Sequence, residues 1–379
     1  MDDQKEILLS PPSMTGAEIV ALNKAIESNW IAPMGPAVDE FESAIANILG
    51  KQSKVIALNS GTSALHMALI DCGVTAGDYV ICQSFTFAAS VNPVLYQGAI
   101  PVFVDSEPLT WNMDPKYLKK AIDHIQESEK VLPKAIILVH SYGVPFQYDE
   151  IREVADHYQI PLIEDSAEAL GSTYKGRPCG TLGDYAALSF NGNKIITCSS
   201  GGVLVCPDEE SKERVRFRSR QASTSPVDYH HTETGYNCGM SNICAAIGNG
   251  QLSGLDRKLE KRKAIHQNYL DQFSKYQVEI FEPQKEFTSN FWLNCVHIDW
   301  QAKGLTLDQV YDHFWDHNIQ VRAVWKPLHL QPYLSHYAYF GQQCAEQLYH
   351  SWICLPSGDQ MDEQDVNRVV EALVKLINP

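Results

Sequence analysis

Basic residues are in short supply: 30 Lys and Arg stand against 46 Asp and Glu, a net charge of −16 over 379 residues. A nucleic-acid binder carries an extended basic surface, so no nucleic-acid partner is expected. Long apolar runs are missing too; the stretch over 135–139 (Ala-Ile-Ile-Leu-Val) is far too short to span a bilayer. The opening residues, Met1-Asp2-Asp3-Gln4-Lys5-Glu6, are acidic with no long apolar run behind them. A secretory signal is therefore not expected, and the chain reads as cytoplasmic with no membrane partner. There are 10 cysteines but no C-x-x-C pair and no metal-like cluster, so reduced, mostly buried thiols and no metal are expected. His230 and His231 are adjacent but lack partners at ligand spacing. A Walker P-loop and a G-x-G-x-x-G fingerprint are both absent, which argues against nucleoside triphosphates and nicotinamide cofactors.

What is present is a patterned globular chain, 44% hydrophobic, without low-complexity tracts or an evident internal repeat. Its length exceeds the size at which a single core stops growing, so two domains are expected. From about 55 to about 205 strand-like and helix-like segments alternate, the pattern of a mostly parallel α/β sheet with helical crossovers. Strands are expected over 79–83, 100–104, 135–139, 161–164, 186–190 and 202–206. Helices are expected over 241–252 and 255–273. Beyond them a strand over 291–299 and helices over 306–317 and 363–377 suggest a smaller α+β unit, with a boundary near Asp256.

One segment carries the most chemistry. Leu188-Ser189-Phe190-Asn191-Gly192-Asn193-Lys194, closed by Ser199-Ser200-Gly201-Gly202, sets a lysine after an apolar strand and before a flexible turn. A Schiff-base lysine needs that setting: a rigid base, a dry wall that favours the neutral amine, and room for a cofactor to move. Upstream, a short apolar strand ends in Glu164-Asp165-Ser166-Ala167-Glu168. A carboxylate at the end of a parallel strand faces the crevice where α/β proteins bind ligands. Asp165 fits a carboxylate that pairs with a pyridine nitrogen; the alternative is a helix N-cap before 167–170. Asn59-Ser60-Gly61-Thr62-Ser63 follows a β-like run at 55–58 and opens a helix over 64–69, a place that favours a phosphate or merely caps the helix.

In this order, phosphate cup, ring-nitrogen carboxylate, lysine, the segments resemble fold-type I pyridoxal phosphate enzymes, and more narrowly the DegT/StrS family of sugar-nucleotide aminotransferases. The resemblance runs from Leu9-Ser10-Pro11-Pro12 through Asn29-Trp30-Ile31-Ala32-Pro33, Ser84-Phe85-Thr86-Phe87-Ala88-Ala89 and Gly235-Tyr236-Asn237 to Trp325-Lys326-Pro327-Leu328-His329-Leu330-Gln331-Pro332. It implies a three-layer α/β/α large domain with a mostly parallel sheet over 1–255, including an N-terminal substrate-loop segment, and a smaller α+β domain over 256–379. The implied cofactor is pyridoxal 5′-phosphate. By resemblance, Lys194 bonds the cofactor and moves the proton, Asp165 pairs with the ring nitrogen, and Glu168 lies near the ring hydroxyl. Gly61, Thr62, Ser63 and Ser189 match the phosphate site, and Phe87 the residue stacked on the ring. Asn237 matches a residue that reaches the phosphate from a neighbouring subunit, which implies a homodimer with shared active sites. Trp30, Ile31, Ala32, Pro33, Lys326 and His329 fall on the substrate side, and Arg322 and Lys326 are candidate diphosphate contacts.

The resemblance further implies transfer of an amino group from glutamate to a nucleotide-linked keto sugar, closest to the subgroup acting at C4 of UDP-linked 4-keto-6-deoxy-N-acetylhexosamines for bacterial glycans. A GDP- or dTDP-linked sugar is the alternative. A non-catalytic regulator on the same scaffold is a remote one, since such a protein is expected to lose Lys194 or Asp165. Two departures bear on the substrate: Cys238-Gly239 stands where relatives often carry Tyr-Arg, and Ser200 replaces a glycine common in the turn after the lysine.

Overall fold

The computed structural model describes residues 5–225, 227–300 and 302–377. Its largest sheet has eight strands, in the order Lys54–Leu58, Gly202–Cys206, Tyr185–Ser189, Leu162–Asp165, Ala135–Val139, Tyr79–Gln83, Ile100–Val104 and Tyr339–Phe340. Only Gly202–Cys206 runs antiparallel to its neighbours in this sheet; the other pairings are parallel. Parallel strands covered on both faces need apolar side chains at successive positions, and Ala135–Val139 is buried throughout.

Period-two alternation divides these strands between two cores. Val80, Cys82, Ala135 and Ile137 face the helix Gly61–Asp71 through Ala64, Leu65 and Ala68. Ile81, Ile136 and Leu138 face Leu118, Ile122, Ile151 and Ala155 of the helices Pro115–Glu129 and Tyr148–Tyr158. The three-layer α/β/α architecture of fold-type I transferases follows.

A second, antiparallel sheet is built from Asn294–His297, Trp352–Leu355 and Arg322–Ala323. Helices Leu255–Phe273, Leu307–Asp316 and Glu363–Ile377 cover it, burying Tyr269, Phe314, Val366, Val370 and Leu373. Thr306 and Gln309 form a reciprocal capping box at the middle helix. We propose that residues 1–255 and 256–379 form two units with two strand pairings across them: Tyr339–Phe340 adds to the edge of the large sheet, and Phe287–Thr288 pairs with Thr173–Tyr174.

Four expected strands and the helices Leu255–Phe273 and Glu363–Ile377 have the expected bounds. The strand expected over 291–299 is only Asn294–His297, because Phe291 takes a left-handed φ of 51°. No helix follows Asp165; Ala167 instead donates its N–H to Asp165 Oδ1 at 3.2 Å in a turn, so the N-cap reading fails.

Candidate active site

Parallel strands deliver their carboxyl ends to a common edge, and there the chain leaves a cavity of about 860 Å³. Asp165, Val139 and Ser189 reach it from the ends of three neighbouring strands. Gly61 and Thr62 line it from the first turn of the helix Gly61–Asp71, with Ser60 as the N-cap accepting the Ser63 N–H at 3.0 Å. A Cβ at Gly61 would come within 2.9 Å of Ser189 Cβ, so helix start and strand end close together only because that residue has no side chain. Phe87, 62% exposed, presents its ring at the cavity wall.

Lys194 enters from the turn after Tyr185–Ser189, its N–H bonded to Asn191 O at 3.1 Å. Its Nζ lies 3.3 Å from Glu168 Oε1 and 4.5 Å from the centre of the Trp292 ring. The turn is held through one carbonyl: Asn193 O accepts the Trp292 indole N–H at 2.7 Å and the Ser10 hydroxyl at 3.0 Å. Glu168 is buried and accepts the Tyr142 N–H at 3.0 Å. Burial pushes its carboxyl up to about 7, with the charge of Asp165 adding to the effect and the Lys194 ammonium and the Tyr142 N–H opposing it. The short Lys194–Glu168 contact alone would favour the ionised acid; burial outweighs it, so at neutral pH Glu168 stands near the balance between its charged and neutral forms. Tyr142 stacks on Trp325 at 4.4 Å, making an aromatic wall for the cavity.

Of the residues expected to form the site, Gly61, Thr62, Phe87, Asp165, Glu168, Ser189 and Lys194 line one cavity, and so does Arg322. Ser63 stands behind it, donating its hydroxyl to Asn59 Oδ1 at 2.6 Å. Ile31, Ala32 and Pro33 line a second cavity of about 400 Å³, which shares Ser200 with the first. Trp30, with its carbonyl bonded to the Asn242 amide, does not line either cavity, nor do Asn237 and Lys326, which are exposed. His329 is tied up structurally: Nδ1 meets Ser84 Oγ at 2.6 Å, Nε2 meets Glu346 Oε1 at 3.1 Å, and the ring stacks on Tyr339. Tyr142, Trp292, Trp325 and Ser10 also line the cavity, and the sequence pattern gives none of them a site role. Among the described residues no group of three or more His, Cys, Asp or Glu is placed to hold a metal, and no helix is long and apolar enough to cross a membrane.

The donor set fits a phosphorylated pyridine aldehyde: a lysine amine for the aldehyde, a carboxylate for the ring nitrogen, a ring for its face, and a helix start with a glycine-made gap for the phosphate. Cavity and sheet together place the chain among the pyridoxal phosphate-dependent transferases of fold type I. More narrowly, it belongs to the DegT/DnrJ/EryC1/StrS aminotransferase family, whose model matches residues 12–374. It is 43% identical to EpsN of Bacillus subtilis (strain 168), named as a pyridoxal phosphate-dependent aminotransferase, over 99% of this chain and 96% of that one. A GDP-perosamine synthase of Caulobacter vibrioides is 35% identical over the full length of both chains. Among solved structures, the pyridoxal phosphate form of Spr1654 from Streptococcus pneumoniae, named as a sugar aminotransferase, superposes with a TM-score of 0.89 at 27% identity, covering 98% of each chain. The chain is a pyridoxal phosphate-dependent aminotransferase.

Proposed function

We propose that the chain moves an amino group from glutamate to C4 of a UDP-linked 4-keto-6-deoxy-N-acetylhexosamine, making a UDP-4-amino sugar for bacterial glycan biosynthesis in the cytoplasm. The observation that carries the aminotransferase chemistry is Lys194 Nζ at 3.3 Å from Glu168 in the cavity that Asp165 also lines. Bound there, the cofactor supplies the electron sink that lets a proton leave the carbon bearing the nitrogen. Lys194 Nζ, beside Glu168, would be the group that takes up that proton and gives it back. Asp165 would hold the ring nitrogen, Phe87 would cover the ring face, Glu168 would meet the ring hydroxyl, and Gly61, Thr62 and Ser189 would hold the phosphate.

Asn237, exposed on one protomer, reaches the phosphate of its partner in a homodimer with shared sites. The segment Trp30 to Pro33, with Lys326, contributes to the substrate side once that dimer forms, whereas His329 keeps its structural contacts. Arg322 brings a cation to the cavity for an anionic group of the substrate. The full-length likeness to a GDP-perosamine synthase favours a second reading, in which the sugar is GDP-linked.

The test is a mass-spectrometric assay of purified protein with pyridoxal phosphate and glutamate, offered UDP-, dTDP- and GDP-linked 4-keto-6-deoxy sugars. Amination of the UDP-N-acetylhexosamine is the expected outcome. Amination of the GDP sugar alone replaces it with the second reading, and no product from any sugar overturns both.

A further inference from the structure

The carboxylate of Asp165 is held from behind by a buried hydroxyl pair. Ser90 Oγ lies 2.6 Å from Asp165 Oδ2, and Thr86 Oγ1 lies 2.7 Å from Ser90 Oγ. Thr86 and Ser90 are 2% and 1% exposed, so solvent does not compete for these bonds. The direction of the chain follows from donor and acceptor counts. An ionised carboxylate only accepts, so the Ser90 hydroxyl donates to Asp165; its one proton spent, Ser90 accepts from Thr86.

The same short segment carries both residues and Phe87. Ser90 ends the single turn Ala88–Ser90, its N–H bonded to Phe87 O at 3.1 Å, while the Phe87 ring faces the cavity. One turn thus presents an aromatic face to the cavity and reaches behind it to Asp165, 75 residues away in sequence. A carboxylate at the end of a strand can rotate about its side-chain torsions. A charge-assisted bond to one oxygen, backed by a second hydroxyl, fixes its plane and leaves the Ala167 N–H to orient the other oxygen at 3.2 Å.

We propose that Ser90, backed by Thr86, is a positioning residue for Asp165: the directed chain Thr86 to Ser90 to Asp165 locks the carboxylate in the orientation that meets the ring nitrogen. This rests on the assignment of Asp165 to the ring nitrogen. A hydrogen bond to a charged group is worth on the order of tenfold to a hundredfold.

The experiment compares Ser90→Ala, Ser90→Thr, Ser90→Cys and Thr86→Val, each alone and with Asp165→Ala. It reads the dissociation constant of pyridoxal phosphate from apo-protein, the visible spectrum of the bound cofactor across pH, and kcat and KM separately. Ser90→Ala is expected to weaken cofactor binding roughly tenfold, shift the spectral titration and lower kcat with little change in KM. Ser90→Thr keeps the hydroxyl and restores the spectrum; Thr86→Val gives a smaller change in the same direction. Ser90→Cys, close in size with a weak donor, carries the test if the alanine variant does not fold.

In the Asp165→Ala background Ser90→Ala is expected to add nothing. Equal losses with and without Asp165 reduce Ser90 to a packing role and overturn the proposal. If Asp165→Ala weakens binding and Ser90→Ala changes nothing, the chain of hydroxyls fails while the ring-nitrogen assignment stands. If Asp165→Ala itself leaves binding and spectrum unchanged, both fall.

Discussion

Lys194 Nζ and Glu168 Oε1 lie 3.3 Å apart in a setting where burial, rather than the ion pair, sets the protonation of the acid, which is pushed up to about 7. An unfolded glutamate titrates near 4.5. Between those values the unfolded chain has released a proton that the folded chain keeps. Stability of the apo-protein is therefore expected to fall as pH rises from about 4.5 to about 7, and to lose nothing more from this group above that. Glu168→Gln cannot ionise, so its stability relative to wild type should rise through the same window, by up to about 3 kcal/mol at roughly 1.36 kcal/mol per unit. Urea unfolding of both apo-proteins at several pH values measures this; a difference independent of pH contradicts it.

Glu18 has the opposite sign. Burial would raise its carboxyl, but the N–H groups of Thr15 and Glu18 itself, the Gln251 amide and the Thr15 hydroxyl overcome that and hold it at about 2. It also accepts the Gly16 N–H at 2.8 Å, closing the turn between the cavity segment Leu8 to Pro12 and the helix Ala17–Glu27. The stabilisation is present in full above the unfolded value of 4.5 and disappears as pH falls through about 2. Glu18→Gln should destabilise the protein by about 2–3 kcal/mol at neutral pH, with the gap narrowing on acidification in unfolding titrations. A gap that widens in acid would contradict this.

At the proposed phosphate end, Gly61→Ala pushes a methyl to 2.9 Å from Ser189 Cβ and 3.3 Å from Leu188 O. Forcing an extra carbon into so close an approach costs about 1–3 kcal/mol. The displaced helix start is expected to weaken pyridoxal phosphate binding. Calorimetric titration of apo-protein reads the loss; unchanged affinity would show that the cup tolerates the movement.

Asp165→Ala removes one of the two carboxylates that, among the described residues, line the cavity. Cofactor affinity and turnover are expected to fall together, measured by fluorescence titration and by the transaminase assay. Unchanged activity would assign the ring nitrogen to a different partner.

Much of this site was legible because local patterns announced it. Gly202–Cys206 and Ala135–Val139 are short apolar runs with clear ends, and Asp165, Ser189 and Gly61 sit where such runs stop or a helix begins. Their convergence follows from parallel strands sharing one carboxyl edge. Contacts set by long-range register were not legible. Ser10 reaches Asn193 across 183 residues and Ser90 reaches Asp165 across 75, and no local pattern announces either contact. The strand Tyr339–Phe340 has two residues and no period of its own; it exists because Ile100–Val104 offers a free edge. Trp30, Asn237 and Lys326 resemble family site residues, yet within one chain they stand outside the main cavity.

The most direct test of Lys194 as the cofactor-bonding residue is borohydride reduction of the pyridoxal phosphate-loaded protein, followed by peptide mass spectrometry, with Lys194→Ala as the parallel sample. The expected result is a phosphopyridoxyl group on the peptide carrying Lys194, no label in the variant, and no turnover from a variant that still folds. Label on a different lysine, or an active alanine variant, would contradict the assignment of Lys194.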